Sequence, residues 1–430
     1  MRYFSTNHSV PTATLKEAVL KGLAADNGLY MPEKINTLPE SFFKKLPQLS
    51  MAEIGYEVAS TLFEGDIPPD VLRRICDEAY DFEVPLVKLD EQIYSLELFH
   101  GPTLAFKDVG ARFMSRLMSY FNDQSDKDLY VLAATSGDTG SAVASGFYNV
   151  KGVRVILLYP KGKVSKIQEQ QLTTFGGNIT AIEVDGVFDD CQRLVKQAFL
   201  DVALNKKLQL TSANSINLAR FVPQSFYYFH AIGKLNQPNK DVIFSVPSGN
   251  FGNMTAGIIA QRMGLRVKKF IAATNINDVV PTYIETGKYE PKSSVKTIAN
   301  AMDVGSPNNF PRLQELFGKS YQEFCANVLP YRQTDEQIRE TLKEIYQKYN
   351  YIADPHGAIG YGGLKKFLQK DEIGIFLETA SPAKFYDEVE PILGITVPMP
   401  ERLAEYARKQ KNAIEMSSSF DDFKAYLNSL

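Results

Sequence analysis

From about residue 128 the chain alternates short, strongly apolar runs with stretches of helical periodicity, and this alternation restricts the fold more than any other feature. LYVLAATS, VRVILLYP and NITAIEVDG are apolar, β-branched runs ended by Gly, Pro or Ser, the pattern of buried strands. Between and after them lie GSAVASGFYNV, KIQEQQLTTFG and FDDCQRLVKQAFLDVALN, with apolar residues three and four apart, as on one face of a helix. A strand that is apolar on both faces needs cover on both faces. Strand–helix repetition supplies it as a parallel sheet between helices.

A second series of the same kind starts at DVIFSVPSG, passes through the helical NMTAGIIAQRMG and returns as VKKFIAATN, with a last strand, EIGIFLET, much later. The chain therefore reads as α/β, with two parallel-sheet lobes and a ligand cleft expected between them. Residues 1–85 carry helical patterns such as MAEIGYEVASTLF and DVLRRICDEAY and read as an N-terminal accessory lobe. Residues 86–395 form the expected catalytic core, with the smaller α/β lobe at about 110–225 and the larger one made from the remainder. Residues 396–430, closed by FDDFKAYLNSL, read as a C-terminal helical extension.

Composition removes several function classes. A chain of 430 residues exceeds a single simple core, and a net charge of −3 asks for neither nucleic acid nor an acidic membrane surface. No apolar run approaches the roughly 20 residues that span a bilayer. Three cysteines (Cys76, Cys191, Cys325) and four histidines (His8, His100, His230, His356), all far apart, suit neither a disulfide framework nor a metal centre. A metal-free cytoplasmic protein acting on a small molecule is the expectation, as a monomer or small homo-oligomer.

Four turns rich in polar and small residues then stand out. In HGPTLAFKDVGARF, Lys107 lies between an apolar tripeptide and an apolar helix, which suggests burial. A buried amine loses its charge readily, as Schiff-base chemistry requires, although most lysines are surface residues. ATSGDTGSA follows a strand and offers backbone N–H groups to an anion such as a substrate carboxylate, while Ser136, Asp138 and Thr139 also suit simple N-caps. PSGNFGNMTAG has two glycines three apart at a strand-to-helix turn, a phosphate cradle without a P-loop lysine. In FLETASPAKF, Thr379 leaves the carboxyl end of a strand, where ligands of open α/β sheets bind and where capping residues are also common. A nucleophilic lysine, a carboxylate turn, a phosphate cradle and a strand-end hydroxyl together describe a pyridoxal phosphate pocket.

HGPTLAFKD, TSGDTGSA, NSINLARF, PSGNFGN, NAMDVGSPNNFPR and ETASPAKF, in this order, closely resemble the motifs of threonine synthases of the longer bacterial and fungal type. The resemblance runs from YFSTN near the start to the C-terminal region. It implies fold-type II (tryptophan synthase β-like) architecture and pyridoxal phosphate as cofactor. It also implies a lyase that converts O-phospho-L-homoserine and water to L-threonine and phosphate, by γ-elimination and then addition of water at Cβ. By the same resemblance, Lys107 is the cofactor lysine and the catalytic residue. Gly249, Asn250, Phe251, Gly252 and Asn253 hold the cofactor phosphate, Thr379 faces the pyridine nitrogen, and Asp138 lies at the cofactor. Ser136, Gly137 and Thr139 serve the substrate carboxylate. The substrate phosphate needs donors of its own, for which the chain offers Lys163, Asn214, Ser215, Asn217 and Arg220. Those basic residues also read as solvated helix-face charges.

Overall fold

A computed structural model describes all of residues 1–430 except Gln124 and Ser136. Its contacts divide the chain into two compact units. The first comprises Met1, Met31–Phe106 and Phe221–Pro398, and the second Arg2–Tyr30, Lys107–Arg220 and Met399–Leu430. Proximity thus groups the segments differently from their order along the chain.

The first unit holds a six-stranded sheet ordered Val328–Arg332, Lys269–Thr274, Asp241–Pro247, Glu372–Glu378, Ile93–Glu97, Leu86–Lys88. Only the last pair is antiparallel. Its central strand, EIGIFLE, is buried at every position, as its unbroken apolar character requires. Helix Pro355–Phe367 packs on this sheet through Ala358, Ile359, Tyr361 and Leu364, in one apolar cluster with Ile243, Ile271 and Phe376.

The second unit holds a five-stranded parallel sheet ordered Ile414–Ser417, Ile179–Asp185, Val153–Pro160, Leu129–Ala134, Gln209–Ser212. Its core includes Leu132, Ile156 and Ile182 from the sheet, Leu194 and Ala198 from a covering helix, and Phe423 and Leu427 from the tail. Helix Lys107–Asn122 packs against helix Asp138–Phe147, where the backbone of Ala111 would lie 3.1 Å from a Cβ at Gly146. The small residues let the two helices approach closely.

Two segments depart from the sequence reading. FDDCQRLVKQAFLDVALN is two helices, Phe188–Leu200 and Val202–Lys207. The break falls at Asp201, whose carboxylate accepts the N–H groups of Ala203 and Leu204 and caps the second helix. The tail is not wholly helical: Ile414–Ser417 is a strand, mostly exposed, that extends the parallel sheet. With only four residues and alternating apolar and polar character, IEMS gives a weak strand signal. Among the described residues, no helix is long and apolar enough to cross a membrane, and no His, Cys, Asp and Glu group could hold a metal ion.

Candidate active site

Lys107 is the first residue of helix Lys107–Asn122 and of the second unit, and it is half-buried. Phe106, just before it, donates its N–H to the carbonyl of Thr379 at 2.9 Å. Around that bond the two motifs pair, with Ala105 bridging Ala380 and the N–H of Ser381 donating to Leu104 at 3.0 Å. HGPTLAF and ETASP are therefore one construction of the first unit, which ends at Phe106.

Within the second unit the lysine's backbone is held by Arg220, which is 3 % exposed and donates from Nη1 to the Lys107 carbonyl at 2.9 Å. Burial pushes the guanidinium down to about 10, partly offset by the charge of Asp108, so it remains a cation at neutral pH. It is not a solvated helix-face charge. A Cβ at Gly110 would lie 2.3 Å from the Arg220 carbonyl oxygen, so a glycine permits this approach.

The turn before helix Asp138–Phe147 is built on Thr135, whose hydroxyl oxygen accepts the N–H groups of Gly137 at 3.0 Å and Gly140 at 2.7 Å. Thr135, rather than Asp138 or Thr139, therefore supplies the capping oxygen. Gly137 has φ 135°, a conformation open to glycine, and a Cβ there would strike the Gln168 amide. Asp138 is buried and accepts from Gln168 Nε2 at 2.8 Å, while Thr139 is half-buried. Ser136 lies outside the described residues.

In NSINLAR the residues divide by role. Asn217 is fully buried: its Nδ2 donates to Val19 at 2.9 Å and to Ser212 at 3.2 Å, and its Oδ1 accepts from Ala219 at 3.0 Å. Its amide holds the turn together. Asn214 donates to the Ala134 carbonyl at 3.0 Å, at the end of a sheet strand, and both Asn214 and Ser215 are half-buried. Lys163 stands on an exposed turn.

The cradle of the first unit follows strand Asp241–Pro247. Gly249 packs on the backbone of 301–302, where a Cβ would lie 3.0 Å from both the Ala301 oxygen and the Met302 Cα. Phe251 has φ 59° and turns the chain into the eleven-residue helix Gly252–Arg262, whose first-turn amides precede the first intrahelical bond. Asn253 braces the loop from inside: it accepts from Ser248 at 2.8 Å and from the N–H of Met254 at 3.0 Å, and donates to Pro247 at 2.7 Å. The Asn250 carbonyl accepts from Asn309 Nδ2 at 3.0 Å, and Asn309 accepts from the fully buried Arg312 at 2.7 Å. A strand-to-helix turn with a tight glycine and a helix amino terminus suits the phosphate of pyridoxal phosphate. Thr379, 6 % exposed, closes the carboxyl end of strand Glu372–Glu378, which pairs directly with strand Asp241–Pro247, so cradle and hydroxyl leave adjacent strands.

Asp354, His356, Asn309, Arg312 and the buried Lys384, whose Nζ donates to the Thr103 carbonyl at 3.0 Å, had no role assigned from sequence. For Asp354 the available signal was Asp354-Pro355, a cap followed by proline at the first helical position.

Known proteins resemble the chain over its whole length. The family described as pyridoxal-phosphate dependent enzyme matches residues 82–375, threonine synthase N terminus matches 2–80, and threonine synthase, C-terminal, matches 357–427. Threonine synthase of Haemophilus influenzae is 44% identical over 431 residues, covering 99% of both chains. The crystal structure of threonine synthase from Escherichia coli superposes with a TM-score of 0.94 at 40% identity, covering 100% of both chains. The structure of PLP-bound threonine synthase from Brucella melitensis gives 0.93 at 34%, covering 100% of this chain and 99% of that one. The chain belongs to the threonine synthase family of pyridoxal-phosphate-dependent enzymes.

Proposed function

We propose that the chain converts O-phospho-L-homoserine and water to L-threonine and phosphate, with Lys107 as the residue that both holds the cofactor and moves the substrate's protons. The observation that carries the substrate is a second polar turn, 212–220, with Asn214 and Ser215 half-buried, separate in sequence from the cradle at Gly249–Asn253. Two such turns suit a phosphorylated cofactor and a phosphorylated substrate. A threonine or serine dehydratase needs only the first.

Bound pyridoxal phosphate supplies an electron sink for charge developing at the substrate carbon atoms. The chain supplies the rest. Amides of Gly249–Asn253 hold the cofactor phosphate, Thr379 meets the ring nitrogen with a neutral hydroxyl, and Asp138 shapes the cofactor's surroundings through its bond to Gln168. Ser136, Gly137 and Thr139 orient the substrate carboxylate. Asn214 and Ser215 bind its phosphate, with Arg220 and Lys163 supplying positive charge, on a turn that Asn217 keeps in shape. Lys107 Nζ takes the proton from Cα, and a site closed to bulk water protects the reaction until water is added at Cβ. The buried thiols of Cys76 and Cys191 support a reducing, cytoplasmic setting.

The purified holoprotein is expected to release inorganic phosphate and form threonine from O-phospho-L-homoserine, and K107A to lose the activity by at least about 10³-fold. Deamination of threonine at a comparable rate, without phosphate release, would overturn the reading in favour of a dehydratase.

A further inference from the structure

Asp354 begins as an ordinary N-cap, its Oδ1 accepting the N–H groups of His356 and Gly357 at the start of helix Pro355–Phe367. It then does more than a cap needs. Oδ1 also accepts from the His356 ring at Nδ1, 2.7 Å away, and Oδ2 accepts the N–H of Ala380 at 3.0 Å. On the far side of the ring, His356 Nε2 accepts the N–H of Ala301 at 3.2 Å. A nitrogen that accepts carries no proton, so the bonds hold the imidazole in its Nδ1–H form. Phe385 packs edge-on to the ring at 5.1 Å and limits its rotation.

These contacts end at two places that matter for the cofactor. Ala380 follows Thr379, and Ala301 forms the backbone surface on which Gly249 rests. Asp354 is 0% exposed and His356 2%. Burying a carboxylate and an imidazole is costly unless each polar atom is satisfied, and an exposed Ser or Asp would cap the helix as well. Glu378 completes the arrangement: it accepts the N–H of Asp354, and burial with Asp354's charge raises its carboxyl well above the usual carboxylate range.

We infer that Asp354 and His356 are positioning residues, which tie the Thr379–Ala380 turn to the Ala301–Met302 turn and thereby fix the spacing between the ring-nitrogen hydroxyl and the cofactor-phosphate cradle. This inference rests on the cofactor roles proposed above for Thr379 and Gly249. It requires that His356 act through its Nε2 contact with Ala301, and side-chain length separates that contact from the other. A glutamine amide oxygen reaches the place of Nε2. An asparagine reaches only that of Nδ1.

The test uses the full-length protein stripped of cofactor and titrated with pyridoxal phosphate, read by the absorbance and the induced circular dichroism of the bound cofactor. H356L and H356N are expected to raise the dissociation constant about tenfold, and H356Q to stay within about threefold of wild type. Induced dichroism should fall in H356L and H356N and return in H356Q. Wild-type affinity and dichroism in H356N, or in a folded H356L, would overturn the inference. Should H356L not fold, the contrast between H356Q and H356N carries the test, and equal constants for the two would overturn it. T379V and G249A run beside them: normal cofactor binding by both would show that the cofactor reading itself has failed. Weakened binding there with normal binding in H356N removes the positioning role alone.

Discussion

At position 110 there is no room for a methyl group, because the nearest atom, the Arg220 carbonyl oxygen, would lie 2.3 Å from it. Alanine would gain about 1 kcal/mol in helix propensity over glycine. The clash is with backbone, which cannot rotate away, and overpacking of this kind costs about 1–3 kcal/mol. The clash wins, and the strain falls on the residue that holds the Lys107 carbonyl. G110A is expected to lower the urea midpoint and to weaken cofactor binding together; an unchanged or raised midpoint would show that the helix shifts freely. His230 gives a prediction in pH. Burial drives its imidazole down to about 4, with one partner at the Val84 carbonyl. Between about pH 6.5 and 4 the unfolded chain therefore binds the extra proton, and stability falls as pH drops through that window by up to about 1.4 kcal/mol per unit. Asp303 has the opposite sign: burial pushes it up to about 6, so its contribution is lost as pH rises through 6. Comparing H230Q with wild type isolates the histidine, and the urea midpoint of H230Q should fall less between pH 7 and 4.5. What the sequence conveyed at this scale was residue type. That Thr135 caps where Asp138 does not, and that Asn217 holds backbone, depends on side-chain direction, which spacing along the chain does not encode.

At the scale of elements, one side chain braces the cradle from inside. Asn253 ties the end of strand Asp241–Pro247 to the first turn of the following helix through Ser248, Pro247 and Met254. N253A leaves those buried groups without it, at about 1–3 kcal/mol for an unsatisfied one, and the loss falls on the loop's shape. The expected result is a dissociation constant for pyridoxal phosphate raised by about tenfold or more, with far-ultraviolet dichroism unchanged. Wild-type affinity in N253A would mean that the loop keeps its shape unaided. The strand-to-helix turn was legible because its glycines and polar residues sit between a largely apolar strand and a helical stretch. VRVILLYP likewise became strand Val153–Pro160 without a residue of difference. Strands such as Gln209–Ser212 and Ile414–Ser417 were not legible, being four residues long with little apolar character. Their partners in the sheet, rather than their own composition, make them strands.

At the scale of the whole molecule, the chain crosses between the units several times, and two of these crossings, at Phe106–Lys107 and Arg220–Phe221, fall at motifs singled out for chemistry. Local periodicity cannot reveal that, since it records neighbours in sequence and not in space. The same holds for the tail, which rejoins the second unit after a long excursion. Two kinds of contact hold it there. Charged pairs join Lys161 to Glu415 and Lys411 to Glu169 and Glu183, each at 2.8 Å. Apolar contacts bring Phe423 and Leu427, both 0% exposed, into the core with Leu194 and Ala198. The pair with Glu415 is exposed on both sides, and such pairs contribute about 0–1 kcal/mol. Truncating a buried phenylalanine to alanine costs about 3–5 kcal/mol in lost transfer energy and cavity. Burial should therefore decide. E415Q is expected to leave the urea midpoint almost unchanged, and F423A to lower it by several times as much. Comparable losses in the two variants would show that the tail is held by charge.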